Sequence, residues 1–165
     1  DELALAVENN ELHRNFQGYC TRRTTGQVYA FGVTGISQLA TAYAQNTKDI
    51  DTYIESINGG KLPVIKGYVL NEQEQITRSI IDMLMCNNIM YWDRIACEYG
   101  KTVDEIKAAV GYDKARMDDL MNDGIITADD NCIKMTADGK IFVRNVAASF
   151  DQLIKSNPKS FSKPI

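Results

Sequence analysis

The sequence predicts a mainly helical α+β fold that carries one small β-hairpin. In the second half, polar N-cap residues precede apolar residues that recur every three or four positions, a pattern typical of amphipathic helices. Two short β-rich runs follow, separated by an Asp- and Asn-rich turn segment. In the first half, the apolar run of residues 28–33 is bounded by glycines and predicts one short buried strand.

The composition is that of an ordinary folded domain. The chain has 165 residues, of which 44% are hydrophobic and 24% charged, and this excludes a disordered or collagen-like chain. The net charge of −4 and the pI near 5.0 provide no overall electrostatic attraction to nucleic acid or anionic lipid. The apolar stretch from Ile80 to Met85 is interrupted by Asp82 and is far shorter than a membrane span. We therefore expect neither a membrane segment nor a nucleic-acid partner.

Four cysteines stand at positions 20, 86, 97 and 132 and lack the close spacing of metal ligands. We expect reduced structural thiols and no metal site, because nothing in the sequence indicates export. The chain opens at Asp1 without an initiating methionine or a secretory signal. We therefore expect a cytoplasmic protein of which this chain is a fragment.

The residue types change near Pro63, and we divide the chain there. Residues 1–62 are rich in Gly, Thr, Asn and Gln, and residues 63–70 are predicted to be a linker. The strand near 28–33 ends in glycines that permit the close approach of a ligand or of a neighbouring element. A helix is predicted near 48–57, where apolar residues share one helical face.

Residues 71–155 are predicted to form a compact helical unit, and residues 156–165 a tail. Asn71 and Glu74 have the spacing of a capping box at the start of a first helix that runs to about Cys86. A last helix follows the hairpin, and its apolar residues recur at intervals of four, four and three. The cap of that helix and these apolar residues are Thr136, Phe142, Val146, Phe150 and Leu153.

Two more helices and the hairpin lie between these ends. We expect the second helix from about Tyr91 to Cys97 and the third between Asp113 and Gly124. The β-rich runs 125–127 and 132–135 flank the turn segment 128–131 and predict a hairpin. The order helix, helix, helix, hairpin, helix is the outline of a winged-helix-like unit.

The chain carries little of what a catalytic centre needs. Its single histidine, His13, has no visible partner in the sequence and is expected at the surface. The pairs Asp118-Asp119 and Asp129-Asp130 are interpreted as solvated charge, because helix neighbours do not face each other and the second pair lies in a turn. We therefore predict no catalytic residue and no metal ligand in this chain.

The most unusual segment is residues 14–23, which combines two aromatic side chains, amides and three guanidinium groups. Such a segment can stack on a flat ligand and bind carboxylates or phosphates. The alternative is a solvent-facing loop whose aromatic side chains anchor it to the core. The residue types alone permit both interpretations.

Three motifs carry a resemblance to a known enzyme family. They are His-Arg-Asn-Phe-Gln-Gly-Tyr-Cys-Thr at 13–21, Gly-Val-Thr-Gly-Ile-Ser at 32–37 and Tyr-Ala-Gln-Asn at 43–46. With them the sequence resembles the oxygen-independent coproporphyrinogen III oxidases of haem synthesis, which are radical S-adenosylmethionine enzymes. The similarity continues through Asp-Gly-Ile-Ile at 123–126 and Thr-Ala-Asp-Gly at 136–139, and so extends over nearly the whole chain.

The resemblance implies that this chain is about the last third of such an enzyme, the end of its catalytic (β/α) barrel followed by its helical C-terminal domain. It implies oxidative decarboxylation of two propionate groups of coproporphyrinogen III to vinyl groups, which gives protoporphyrinogen IX. It also implies S-adenosylmethionine and a 4Fe-4S cluster whose C-x-x-x-C-x-x-C ligands lie outside this chain. We therefore expect the chain alone to be inactive, and to be able to self-associate through an exposed barrel edge.

The resemblance further implies which residues bind small molecules. Ile36 matches the position that contacts a second S-adenosylmethionine, and Phe16 and Gln17 match neighbours of that pocket. An apolar wall, a flat ring and an amide suit such a ligand. Arg22 and Arg23 are hypothesised to pair with carboxylates of the substrate.

A winged-helix-like unit also suggests an alternative function, a nucleic-acid-binding or protein-interaction domain. A DNA-binding unit would place its third helix in the major groove. Here that helix region carries Lys114 and Arg116 but also Asp113, Asp118 and Asp119, and acidic side chains repel phosphates. An interaction domain stays compatible with the enzyme interpretation, since it could cover a barrel mouth and exclude water.

Overall fold

Residues 1–15, 18–21 and 27–152 are described by a computed structural model of the chain. Up to residue 70 the described elements are α1 (Glu2–Glu8), β1 (Leu12–Asn15), β2 (Gly18–Thr21), β3 (Ile36–Gln38), β4 (Ala42–Asn46), α2 (Ile50–Asn58) and β5 (Val64–Val69). Strands β1 and β2 pair with each other, and β4 lies between β3 and β5 in a three-stranded sheet. All of these pairs are antiparallel.

Beyond residue 70, helices pack around a second three-stranded sheet. The elements are α3 (Glu72–Asn87), β6 (Ile89–Tyr91), α4 (Trp92–Tyr99), α5 (Val103–Ala109), α6 (Lys114–Asn122), β7 (Ile126–Ala128), β8 (Cys132–Met135), a 3-10 turn (Gly139–Phe142) and α7 (Val143–Ala148). Strand β8 is central and pairs antiparallel with both β6 and β7. The predicted mixture of helices and sheet is therefore confirmed. None of the described helices has the length and apolar character to cross a membrane.

Side-chain caps determine where several helices begin. Asn71 accepts a hydrogen bond from the Glu74 amide at 2.9 Å, and the Glu74 carboxylate accepts one from the Asn71 amide at 2.8 Å. The predicted capping box of α3 is thus confirmed. Asp113 likewise caps α6 by accepting from the Arg116 amide.

The main core of the chain lies in residues 71–152. Its buried residues come from α3, β6, α4, α5, α6, β7, β8 and α7, and include Ile76, Ile80, Leu84, Ile95, Ile106, Met117, Ile133 and Val146. Trp92 is fully buried and lies edge-on to Tyr112 and Phe150, with ring centroids 5.4 and 6.4 Å away. The Lys107 ammonium lies 5.2 Å from the centre of the Trp92 ring.

The prediction of a strand near 28–33 is wrong. Val28 forms only an isolated bridge to Gln38, and the strand of this region begins instead at Ile36. Gly32 has φ +90° and Thr34 has φ +62°, so the chain turns where an extended strand was expected.

The linker predicted at 63–70 is also wrong, because these residues contain β5. Its Val-Ile-Lys-Gly-Tyr-Val sequence is rich in residues that favour strands and pairs along the whole of β4. Neighbouring strands of a (β/α) barrel run parallel, whereas β3, β4 and β5 are antiparallel. The described residues of this half therefore show no barrel-type strand–helix repeat.

The predicted helix near 48–57 is confirmed as α2, and the predicted hairpin is confirmed as β7 and β8. The turn of that hairpin is held by Asp129, which accepts from the amides of Asn131 and Cys132, both at 2.8 Å.

The last helix differs from its prediction. Thr136 accepts from the Gly139 amide, but a 3-10 turn comes first and α7 ends at Ala148. Phe142 is exposed, and Leu153 and the predicted tail lie outside the described residues.

Candidate functional site

The candidate site is the loop of residues 30–35 together with Ile36, the first residue of β3. Ile36 is half-buried and pairs with Gln45 of β4, which in turn pairs with Lys66 of β5. Residues directly opposite each other in a sheet place their side chains on the same face. An apolar side chain, an amide and an ammonium group therefore share one face of this sheet.

The backbone of the loop turns tightly around its glycines. Gly32 has φ +90°, a conformation that favours glycine. A Cβ added at Gly35 would lie 3.0 Å from the Ala30 Cβ and 3.2 Å from the Gly32 carbonyl oxygen. A Cβ added at Gly32 would meet nothing within 4 Å, so open space lies beside that residue. The loop thus combines a crowded inner side with an open outer side, which fits the backbone approach of a small ligand.

Asn46, the last residue of β4, holds the inner side of this loop. It is 6% exposed, and its side-chain amide donates to the carbonyls of Gly32 at 2.9 Å and Ala30 at 3.4 Å. Its backbone amide donates to the Gly35 carbonyl at 2.9 Å. The strand register shifts between Gln45 and Asn46, so that a β-bulge lies where Asn46 meets β5.

Three further contacts fix the loop to its surroundings. The Gly32 amide donates to the Tyr53 hydroxyl of α2 at 2.9 Å, and the Ala30 amide donates to the Ser37 hydroxyl of β3 at 3.0 Å. The Thr34 amide donates to the Thr47 carbonyl at 2.8 Å. The neighbouring element expected against Gly32 is therefore present, and it consists of the end of β4 and one side chain of α2.

Two exposed aromatic side chains, one within this loop and one directly before it, were not singled out from the sequence. Phe31 is 91% exposed and Tyr29 is 65% exposed. Flat rings at the surface can stack on a planar ligand. The sequence Tyr-Ala-Phe at 29–31 was interpreted as part of a buried strand. The two aromatic residues were therefore assigned to the core and not to a binding surface.

His13 has a partner, contrary to its predicted isolation at the surface. Its Nδ1 lies 2.6 Å from a carboxylate oxygen of Asp82 on α3, and both side chains are mostly buried. Its Nε2 is buried and has no hydrogen-bond partner among the described residues. Asn87 strengthens the same junction, since its side chain accepts from the Leu12 amide and donates to the Leu12 carbonyl. The β1–β2 hairpin is thereby attached to α3.

The other residues predicted to bind ligands cannot be placed. Phe16 and Gln17 join β1 to β2 in the sequence and lie outside the described residues, as do Arg22 and Arg23. Among the predicted binding residues, Ile36 is thus the one that the structure describes.

The four cysteines are free and have different surroundings. Burial raises the pKa of the Cys20 thiol, and the negative charge of Asp82 raises it further. Burial is also the main cause that raises the pKa of the Cys132 thiol. The described part of the chain brings no three His, Cys, Asp or Glu side chains together as metal ligands. The described residues therefore offer no set of ligands that would fit an iron–sulfur cluster.

Helix α6 is the helix that a DNA-binding unit would insert into the major groove, and its basic residue Lys114 is already paired. The Lys114 ammonium of α6 lies 2.7 and 2.9 Å from the two carboxylate oxygens of Asp118, one turn further along. The Asp118 carboxylate therefore neutralises Lys114 within the helix.

Comparison with known proteins gives one consistent result. Oxygen-independent coproporphyrinogen III oxidases from Synechocystis sp. and Pseudomonas aeruginosa are 33% and 34% identical to this chain, over 100% of its length. A solved structure of the coproporphyrinogen III oxidase of Escherichia coli, described as a radical SAM enzyme, covers 93% of the chain at 30% identity with a TM-score of 0.81. No family model matches.

The matched region is a part of each of these proteins. The chain spans 36% and 35% of the length of the two relatives and 34% of the solved structure. The resemblance predicted from the motifs is confirmed: this chain is related, over its whole length, to about a third of an oxygen-independent coproporphyrinogen III oxidase.

Proposed function

We propose that this chain is the C-terminal part of an oxygen-independent coproporphyrinogen III oxidase, which oxidatively decarboxylates two propionate groups of coproporphyrinogen III to give protoporphyrinogen IX. The observation that carries the proposal is the similarity over the whole chain, both in sequence and in fold. The motif residues Gly32, Gly35 and Ile36 lie together in one loop, which the motif residue Asn46 anchors from β4. This is expected if the motifs serve a binding site.

In this proposal the chain contributes binding surface. Ile36 supplies an apolar wall, and the open side of Gly32 lets the backbone approach S-adenosylmethionine. Phe16 and Gln17 complete the pocket, and Arg22 and Arg23 pair with carboxylates of the substrate. When bound, S-adenosylmethionine and a 4Fe-4S cluster would supply the radical chemistry of the reaction. The cluster ligands lie in the remainder of the protein.

The fold beyond residue 70 supports a covering role. The order α3, β6, α4 to α6, β7, β8 supports a winged-helix-like arrangement, and the β3–β5 sheet is proposed to adjoin the end of the catalytic barrel. A cover of this kind would exclude water from a reactive intermediate.

We further propose a cytoplasmic enzyme whose isolated C-terminal part self-associates through β5. That strand lies at the edge of its sheet, and all six of its residues are exposed. Size-exclusion chromatography of the 165-residue chain tests this point, because a monomer at high concentration would contradict it.

The function is tested on the full-length protein expressed from its complete reading frame. The protein is reconstituted with iron and sulfide under anaerobic conditions, and the loss of coproporphyrinogen III is followed with and without S-adenosylmethionine. Conversion to protoporphyrinogen IX only when S-adenosylmethionine is present supports the proposal. No conversion by a protein shown to hold its cluster would refute it.

A pair of matched variants tests the site within that assay. Ile36→Ala is expected to weaken S-adenosylmethionine binding several-fold, because it removes the apolar wall. Ile57→Ala makes the same change on the exposed face of α2 and serves as the control. Equal binding by both variants would remove Ile36 from the site.

A further inference from the structure

We propose that Asn46 is a positioning residue, which holds the 30–35 loop in the shape that places Ile36 against S-adenosylmethionine. This inference rests on the proposed function and adds a role that the motif resemblance did not assign. Asn46 does not touch the ligand in this proposal; it acts through the loop backbone.

The contacts of Asn46 cover the length of the loop. Its side-chain nitrogen donates to Gly32 and Ala30, and its backbone nitrogen donates to Gly35, the residue directly before Ile36. One residue therefore satisfies carbonyl groups at the start, in the middle and at the end of the loop. These three residues are half-buried, and a carbonyl group that loses its partner in such a place is costly, so these bonds favour one loop shape over others.

The sheet geometry separates Asn46 from the ligand face. At the register shift the extra residue is Ile65 of β5, because Gln45 pairs with Lys66 and Asn46 pairs with Val64. Strand β4 itself therefore keeps its alternation, and Asn46 lies on the face opposite to Gln45. Ile36 pairs directly with Gln45 and shares its face. The Asn46 side chain consequently reaches the loop on one side of the sheet, while Ile36 is presented on the other.

An asparagine is required by the chemistry of these contacts. Two carbonyl oxygens face the side chain, and only its NH2 group can donate to both. A carboxylate of the same size would place a negative oxygen against two carbonyl oxygens. Asn46→Asp thus removes the donors and introduces repulsion while leaving the volume almost unchanged.

The test measures binding of S-adenosylmethionine by equilibrium dialysis to the full-length protein with its cluster reconstituted. The resemblance implies two bound molecules per chain, of which Ile36 contacts one. In Asn46→Asp we expect at least a tenfold weaker affinity for one molecule and no change for the other. A general loss of folding would weaken both, so the difference between the two separates positioning from simple destabilisation.

A matched control makes the same chemical change elsewhere. Asn71 is the exposed N-cap of α3, and aspartate is an equally good N-cap. Asn71→Asp should therefore bind both molecules as the unmodified protein does. Unchanged affinity in Asn46→Asp would overturn the inference and leave the proposed function standing. An unmodified protein that binds no S-adenosylmethionine would overturn the proposed function itself.

A milder variant keeps the inference testable if Asn46→Asp does not fold. Asn46→Ala removes the NH2 group that donates to Gly32 and Ala30 without introducing a negative charge. We expect about a threefold weaker affinity for the same single molecule, since neutral hydrogen bonds are lost and no repulsion is added. Affinity equal to that of the unmodified protein would overturn the inference.

Discussion

Residues 71–152 and residues 1–70 differ in what holds them together. The former share one continuous core, in which Ile76, Ile80 and Trp92 are fully buried. In the latter, α2 has no buried residue and β5 is exposed along its whole length. The small buried cluster of Ala6 and Leu12 in this half is completed by Cys86 of α3.

The candidate binding loop lies in the half without a large core. The loop is held by hydrogen bonds that the Asn46 amide donates and by others that the Tyr53 and Ser37 hydroxyls accept. The comparison suggests that the helical half supplies stability, while the sheet half supplies the binding surface and depends on its neighbours. Four predictions test this division, in order of decreasing effect.

The first prediction compares the same truncation in the two halves. Ile80→Ala on α3 should cost about 4 kcal/mol of unfolding free energy, because a fully buried side chain is removed and a cavity is left. Ile54→Ala on α2, where the side chain is 50% exposed, should cost less than about 0.5 kcal/mol. Urea unfolding followed by circular dichroism measures both. Equal costs would break the comparison, since they would show that the α2 face is packed.

The second prediction concerns two glycines. A Cβ added at Gly139 would overlap the carbonyl group of Ile125 and lie 2.8 Å from the Thr136 hydroxyl, so Gly139→Ala should cost about 3 kcal/mol. At Gly67 of β5 the nearest atom would be 3.7 Å away, so Gly67→Ala should change stability by no more than about 0.5 kcal/mol. Thermal unfolding of the two variants checks this. A stable Gly139→Ala variant would contradict the close approach of Gly139 to the backbone of Ile125, which connects α6 and β7.

The third prediction concerns the junction between the halves. Asp82→Asn removes the charged partner of His13 and should weaken the attachment of the β1–β2 hairpin by about 1 to 2 kcal/mol. Amide protons of both strands should then exchange faster with solvent, while those of α4 and α5 stay protected. Asp119→Asn, at an exposed position of α6, is the control. Unchanged exchange in the hairpin would show that the Asn87 hydrogen bonds and the buried cluster of Leu12 and Cys86 are sufficient to hold it.

The fourth prediction concerns thiol reactivity. Burial and the Asp82 charge raise the pKa of Cys20, so less of its thiolate is present at pH 8. Cys20 should therefore be alkylated several-fold more slowly than the exposed Cys97. In Asp82→Asn the negative charge is absent, and Cys20 should react faster than in the unmodified chain. Mass spectrometry of partially alkylated protein measures both rates, and equal rates for Cys20 and Cys97 would contradict the burial of Cys20.

Local signals in the sequence were sufficient for much of the helical half. Asn71 caps its helix as predicted, the third helix begins after Asp113 as expected, and the Asp129 turn joins the expected hairpin. Helix α5 was missed although Thr102 and Glu105 have the spacing of a capping box and Val103 and Ile106 are apolar three positions apart. Its seven residues are too few for an apolar repeat of several turns, which is the signal that predicted the longer helices.

The sheet half was less predictable because its pairings are long-range. Strand β5 pairs with β4 across the whole of α2, and nothing local to residues 64–69 indicates that partner. The run at 28–33 contains strand-favouring residues, but the left-handed conformation of Thr34 ends any strand there.

The candidate site was predictable only through the motif resemblance. That resemblance indicated Ile36, but it could not show that Asn46 satisfies three loop carbonyls. The His13–Asp82 contact joins residues 69 positions apart, and no spacing rule indicates such a pair. Contacts between residues that are far apart in the sequence form only in the tertiary structure, so they leave no periodic pattern in the sequence.

The position of Trp92 gives the chain an internal optical probe. It is the single tryptophan of the sequence, and it is fully enclosed by the helical half. The emission maximum of its fluorescence should lie at short wavelength in the folded chain and shift to longer wavelength when that half unfolds. Because no tryptophan lies in residues 1–70, the same signal should stay silent when the binding loop rearranges. Unfolding of the helical half can therefore be followed separately from events at the loop, without any label.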